Sequence, residues 1–181
     1  LDTKATRAIV AKSELGSGSG LTVNADQTLL AGSYMSGPPP PPPANTQPQA
    51  AGTPQVSSLE ERWARRLPYS LYTIDVKTGA VKDIHEGKGD WLNHVQFSPT
   101  DPSLLMFCHE GPWHKLDRIW TIRSDGSGVR LMHKRTMEME IAGHEFWSAD
   151  GKTIWYDLQT PRGEDFWLAS AGPDGTRRWY H

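Results

Sequence analysis

Two stretches decide the fold: HVQFSPTDPSLLMF, residues 94–107, and HEFWSADGKTIWY, residues 144–156. Each sets a His at the head of a short apolar run, then a Ser opening an Asp-containing turn, then a second apolar run. The turn serines, Ser98 and Ser148, stand 50 residues apart. A second series keeps step with them: SLYTIDVKTGAV (70–81), RIWTIRSDGSGV (118–129) and DFWLASAGPDGT (165–176). Its Tyr72, Trp120 and Trp167 are separated by 48 and 47 residues. GLTVNADQTLLAGS (20–33) is an earlier copy of the first pattern. Asn24 to Ser98 is 74 residues, and setting aside a 33-residue insertion at 36–68 leaves 41. The runs are short, aromatic and β-branched, the mark of strands, and Gly/Asp/Ser/Pro clusters part them. Four short strands in about 40 to 50 residues is the period of a β-propeller blade.

The expected fold is therefore all-β, a β-propeller. Its first blade is GLTVN, LLAGSY, SLYTID and AVKDI. The second is HVQF, LLMF, RIWTI and VRLM, and the third EFW, TIWYDL, FWLAS and RRWY. ATRAIVA (5–11) reads as the outer strand of a preceding blade. Three blades fall short of the four to eight of closed rings, so residues 1–181 are expected to form a partial propeller domain. Open sheet faces at its two ends would favour self-association.

Composition narrows the function. The chain of 181 residues has a formal net charge of −2, which gives no electrostatic case for nucleic acid or an acidic membrane. No run approaches the roughly 20 apolar residues of a membrane helix. The single cysteine, Cys108, excludes an internal disulfide and favours a reducing, cytoplasmic location. The start, LDTKATRAIV, has neither Met nor an apolar signal core and leaves a processed periplasmic form open. Eight Trp suit packed sheets and sugar-facing surfaces alike.

The insertion contains six consecutive prolines among polar residues, so residues 36–55 are expected to be extended and poorly ordered. LEERWARR (59–66), at its end, has the composition of a helical turn or two. Such an insertion is ordinarily a tolerated surface loop; a lid over a site is the functional alternative.

Meander topology sorts the connections. The first-to-second and third-to-fourth turns share one face of the propeller and are all tight. The unusual text falls on the other face: GKGDWLNH (87–94), CHEGPWHKLD (108–117), HKRTMEMEIAGHE (133–145) and LQTPRGED (158–165). His94, His109, Glu110, His114, Arg135, His144, Glu145 and Arg162 are expected to converge there. His94 and His144 are repeat-equivalent, each starting an innermost strand beside the channel mouth. One such His is ordinarily a hydrogen-bonded rim residue. Two, with a His-Glu pair in the adjoining loop, suit a metal or proton-transfer site.

At these residues the sequence resembles the oligogalacturonate lyases, a pectin-degrading β-propeller family. The matching text is HVQFSPTDPSLLMFCHEGPWHKLDRIWTIRSDGSGVR (94–130) and GHEFWSADGKTIWYD (143–157). The likeness is dense over 91–157 and weaker over 20–35 and 70–86. It implies a seven-bladed ring that cleaves short oligogalacturonides by β-elimination, leaving 4,5-unsaturated products. It implies a divalent metal, most often Mn2+, held by His and Gln side chains, and a separate His as base. His144 matches one metal ligand; the others belong to a Q-x-x-H-x-H segment that this sequence does not contain. The base is divided between His109 and His94. Arg135 and Arg162 are candidates for gripping uronate carboxylates. Trp113 is a candidate for stacking on a sugar, and Glu110 and His114 for lining the substrate site. The competing reading is a non-catalytic propeller that binds a carbohydrate or protein. A peptidase propeller is disfavoured by the lack of a GxSxG nucleophile motif.

Overall fold

Alternating apolar residues, cut by turns that their own side chains close, organise the chain into strands. In the computed structural model, which describes residues 6–11, 15, 17–37 and 58–181, these are β1 (Ser17–Val23), β2 (Leu29–Met35), β3 (Tyr69–Asp75) and β4 (Val81–Gly87). They continue as β5 (Trp91–Phe97), β6 (Leu104–Glu110), β7 (Ile119–Arg123) and β8 (Arg130–Leu131). The last four are β9 (Ile141–Trp147), β10 (Ile154–Gln159), β11 (Phe166–Ala171) and β12 (Arg177–Tyr180). They form three four-stranded antiparallel sheets, each in plain meander order. The repeat reading is met strand for strand. The turns are the side-chain-closed kind the sequence advertises: Asp75, Asp125 and Asp174 each accept the backbone N–H of Thr78, Ser127 or Thr176.

The first strands of the sheets are neighbours, since β5 packs against both β1 and β9. Two cores fill the spaces between sheets. Ala31, Leu71, Leu92, Leu105, Phe107 and Ile122 are buried between the first and second sheets. Met106, Ile119, Trp147, Ile154, Tyr156 and Ala169 are buried between the second and third. Strand β6 feeds both: Leu105 and Phe107 face one way and Met106 the other, as period-2 alternation requires. The outward sides stay apolar, with Leu21 and Val23 exposed on β1 and Phe146, Leu168, Trp179 and Tyr180 on the third sheet.

Two expectations are adjusted. Residues 6–9, read as a strand of a preceding blade, carry no strand pairing; Arg7 instead donates to the Val76 carbonyl. Most of the Pro-rich segment expected to be poorly ordered lies outside the described residues. The helix expected at its end is present as α1 (Ser58–Ala64), and it is the only α-helix among the described residues. None of these is long and apolar enough to cross a membrane.

Candidate active site

His94 and His144 share a backbone device. Both lie inside a strand yet adopt φ of 50° and 52°, the left-handed region that favours glycine. Each sits at a register shift, between Asn93 and Gln96 in one sheet and opposite the step from Trp155 to Asp157 in the other. The repeat-equivalent residue of β1 is Gly20, with φ 58° and the same shift. A β-bulge thus turns one residue out of each innermost strand, and in two sheets that residue is an imidazole. Backbone strain held at non-glycine residues commonly marks function.

Around His94 the charges are buried and interlocked. Its Nδ1 lies 2.8 Å from Glu145 Oε1, off the line of a ring N–H bond, and its Nε2 lies 3.8 Å from Glu110 Oε2. The Glu145 side chain has no solvent exposure, and neither of its oxygens has an aligned hydrogen bond. Arg118, equally buried, stands between the carboxylates: Nη2 is 3.0 Å from Glu110 Oε2, and Nη1 is 3.9 Å from Glu145 Oε2. That Nη1 also donates to the Ala142 carbonyl at 2.6 Å. Trp113 closes the group. Its indole donates to Glu110 Oε1 at 2.5 Å, and its ring lies 4.0 Å from the Arg118 guanidinium carbon.

Gly143 explains its place before His144. A Cβ there would stand 2.7 Å from the Trp113 ring and 3.0 Å from Arg118 Nη1. Only glycine lets indole and guanidinium lie against β9.

The fields follow from this packing. Burial pushes the Glu145 carboxyl up, but His94 and Arg118 beside it outweigh burial and bring it down to about 2. The same contact with Glu145 raises His94 above its ordinary value, against the opposing effect of burial. Burial raises the Cys108 thiol well above its usual range, which leaves it a packed, unreactive side chain.

His144 differs. It is 71% exposed, its Nδ1 is 2.6 Å from Asp157 Oδ1, and it packs edge-on against Trp113 at 5.4 Å. A carboxylate on Nδ1 fixes the ring and leaves Nε2 to the outside, the usual arrangement of a metal-bound His. His94, Cys108 and Glu145 also bring a nitrogen, a sulfur and an oxygen within 4.8 Å of one another. Arg118 already supplies the cation at Glu145, however, so that trio does not suit a divalent metal. His144 does.

The structure does not bring all the named residues together. His109 follows Phe107 on the opposite side of β6 from Glu110. Its Nδ1 is 3.1 Å from Asp90 Oδ2, and its ring packs 5.0 Å from Trp120 and 6.4 Å from His85. Consecutive strand residues point to opposite faces, so His109 cannot join Glu110 beside His94. Arg135 is committed to the loop, donating to the His114 carbonyl and sitting 3.8 Å from Asp117. Trp113 and His114 lie on a 3-10 turn (Trp113–Lys115). With Glu60, Gln159, Arg162 and Leu59 they line a cavity of about 510 Å³. A second cavity, of about 490 Å³, lies across Trp113 and holds Glu110, Arg62, Trp91 and Leu59.

The family model for oligogalacturonate lyase matches residues 58–177. The chain belongs to the oligogalacturonate lyase family. It is 38% identical over 87 residues to the oligogalacturonide lyase of Pectobacterium atrosepticum, and 39% over 104 residues to the oligogalacturonate lyase of Dickeya dadantii. These matches cover 48% and 57% of this chain but only 22% and 26% of the relatives. Among solved structures, the oligogalacturonate lyase of Vibrio parahaemolyticus superposes with a TM-score of 0.75 at 28% identity. It covers 96% of this chain and 43% of that one. An oligogalacturonate lyase in complex with manganese gives 0.76 at 27% identity, over 96% and 44%. The β-propeller domain of a Pyrococcus furiosus protease, 11% identical with a TM-score of 0.50, covers 91% of this chain and 42% of that domain, and shares the fold alone.

Sequence reasoning passed over two residues of this site. Arg118 opens RIWTIR, which reads only as a strand of the second repeat. Asp157 looks like an ordinary strand polar residue. Asp157 alone had a signal, pairing arithmetic: in the repeat alignment it falls opposite Gly143, the neighbour of His144.

Proposed function

We propose that the protein is an oligogalacturonate lyase, cleaving short oligogalacturonides by β-elimination to 4,5-unsaturated products. The observation that carries this is the bulged His94, braced by Glu145 and Glu110, beside the exposed, Asp-anchored His144 in a chain of that family.

The uronate C5–H is weakly acidic because its carboxylate is already negative. His94 takes the proton in its neutral form. The C–H electron pair becomes the C4=C5 double bond, the C4–O bond breaks, and the departing oxygen takes up a proton. Glu145 and Glu110 stabilise the imidazolium that forms. His94 is preferred to His109 as the base because His109 is held on the other side of β6. His144 would be one ligand of a divalent metal, with the remaining ligands from elsewhere. When bound, that metal would supply positive charge to the carboxylate as it becomes an enediolate. Arg162, with no carboxylate partner among the described residues, is assigned to a uronate carboxylate, and Trp113 to a sugar face. A cytoplasmic location is supported by the lone buried thiol of Cys108.

The test is absorbance of the unsaturated uronide with digalacturonate and the full-length protein, with and without added Mn2+. Growth of that band, enhanced by Mn2+, is expected. No band in either condition would remove the reading.

A further inference from the structure

The helix α1, carried on the end of the Pro-rich insertion, is clamped to the rim of the site. Trp63 Nε1 and Arg66 Nη1 both donate to Asp90 Oδ1, at 2.8 and 2.9 Å, and Glu60 pairs with Lys115 at 2.9 Å. The Trp63 ring presses on the backbone where Gly111 spares a side chain; a Cβ there would stand 2.7 Å away. The helix is thus a wall of both cavities, contributing Leu59 to each.

Arg62 is the residue this wall holds out. Its guanidinium carbon lies 3.9 Å from the Trp91 ring centroid, and Nη2 reaches the Tyr69 hydroxyl at 3.3 Å. No carboxylate pairs with it among the described residues. Arg66, Arg118, Arg123 and Arg135 all have one within 4.0 Å. Trp91, 95% buried and lining the same cavity, keeps its indole N–H without an acceptor. A buried donor left open asks for a ligand or water. Glu110, the acid of this cavity, is already neutralised by Arg118. A stacked guanidinium without a carboxylate partner, on the wall of a cavity, is a receptor for a planar anion.

Resting on the lyase reading, we propose that Arg62 binds the carboxylate of a second uronate in the cavity across Trp113 from Arg162. It is a specificity-determining residue supplied by the insertion. Two arginines, one in each lobe, make the site select substrates with at least two acidic sugars.

The test is steady-state kinetics of the full-length protein and its Arg62→Gln variant. The substrates are digalacturonate and digalacturonate methyl-esterified on the sugar that does not undergo elimination. The variant should raise KM for digalacturonate at least tenfold with kcat little changed. For the ester the two proteins should have the same KM, already raised in the parent; Arg62→Lys should recover part of the loss. An unchanged KM for digalacturonate, or an equal rise for both substrates as a distorted helix would give, overturns the inference alone. A parent that leaves digalacturonate intact overturns the lyase reading and this inference with it.

Discussion

The bulges at His94 and His144 have the same backbone and opposite surroundings. Both residues take a left-handed φ at the same place in the repeat. Yet His94 is 34% exposed and meets a carboxylate from the next sheet, Glu145, while His144 is 71% exposed and meets one from its own, Asp157. The pairing explains the exchange. Asp157 is opposite Gly143 on β9; the corresponding residue of β6, opposite Asn93, is Cys108. Cysteine cannot hold an imidazole as a carboxylate does, so His94 is served across the intersheet gap instead. The repeat sets where an imidazole stands. The residue facing it sets what that imidazole does.

The largest test of this contrast is Arg118→Met. It leaves Glu110 and Glu145 buried without their cation beside His94, while His144 is linked to Arg118 only through the Trp113 ring and not by an ion pair. Removing one partner of a buried ion pair typically costs about 3–5 kcal/mol. Urea unfolding should show a loss of that order, whereas Asp157→Asn should cost less than about 1 kcal/mol, as exposed pairs do. Equal losses would mean that the two sites are not differently built.

Turnover should divide along the same line. His94→Ala should lower kcat about a hundredfold or more, as loss of a general base does, with Mn2+ affinity retained. His144→Ala should weaken Mn2+ binding, read by calorimetry independently of activity. If His109→Ala rather than His94→Ala abolished turnover, the base would lie on the wrong side of β6 for this account.

Dependence on pH sharpens it further. Since Glu145 raises His94 above its ordinary value, activity should rise with pH through a midpoint above about 6.5. Glu145→Gln removes the cause, so the midpoint should fall. The carboxyl itself titrates in the opposite sense. Held at about 2 in the folded chain, it contributes stability that is complete above about 4.5 and is lost as pH falls from there towards 2. A profile that Glu145→Gln leaves unmoved would detach the two residues.

The sheets, their order and the equivalence of the two histidines were legible because strand period and turn chemistry are local. The direction of His109 was legible too, had β6 been taken through to Glu110 instead of ending at LLMF: two adjacent strand residues cannot face the same way. Arg118 was not legible. It acts by reaching from β6–β7 across to β9, and no local spacing encodes a contact between sheets. The bulges hid as well, because β5 begins at Trp91 and passes through His94 rather than starting there. A positive φ in mid-strand has no sequence mark when the residue is His rather than Gly.

The smallest effect is the most specific to the comparison. A non-glycine residue in the left-handed region costs about 1–2 kcal/mol, and glycine's extra freedom in the unfolded chain takes back about 0.5–1 kcal/mol of any relief. At His144 the other losses are an exposed contact with Asp157, worth about 0–1 kcal/mol, and the edge-on contact with Trp113, of similar size. His144→Gly should therefore stay within about 1 kcal/mol of the parent, while removing the imidazole proposed for the metal. At His94 the same relief of strain is offset by stripping Glu145 of its nearest counter-group. That carboxylate is fully buried and its other cation, Arg118, stands 3.9 Å away. His94→Gly should be clearly destabilising. Thermal unfolding of the two variants side by side reads the sign of each. If both rose together, strain alone would govern the bulges, and the buried carboxylate would have no hold on His94.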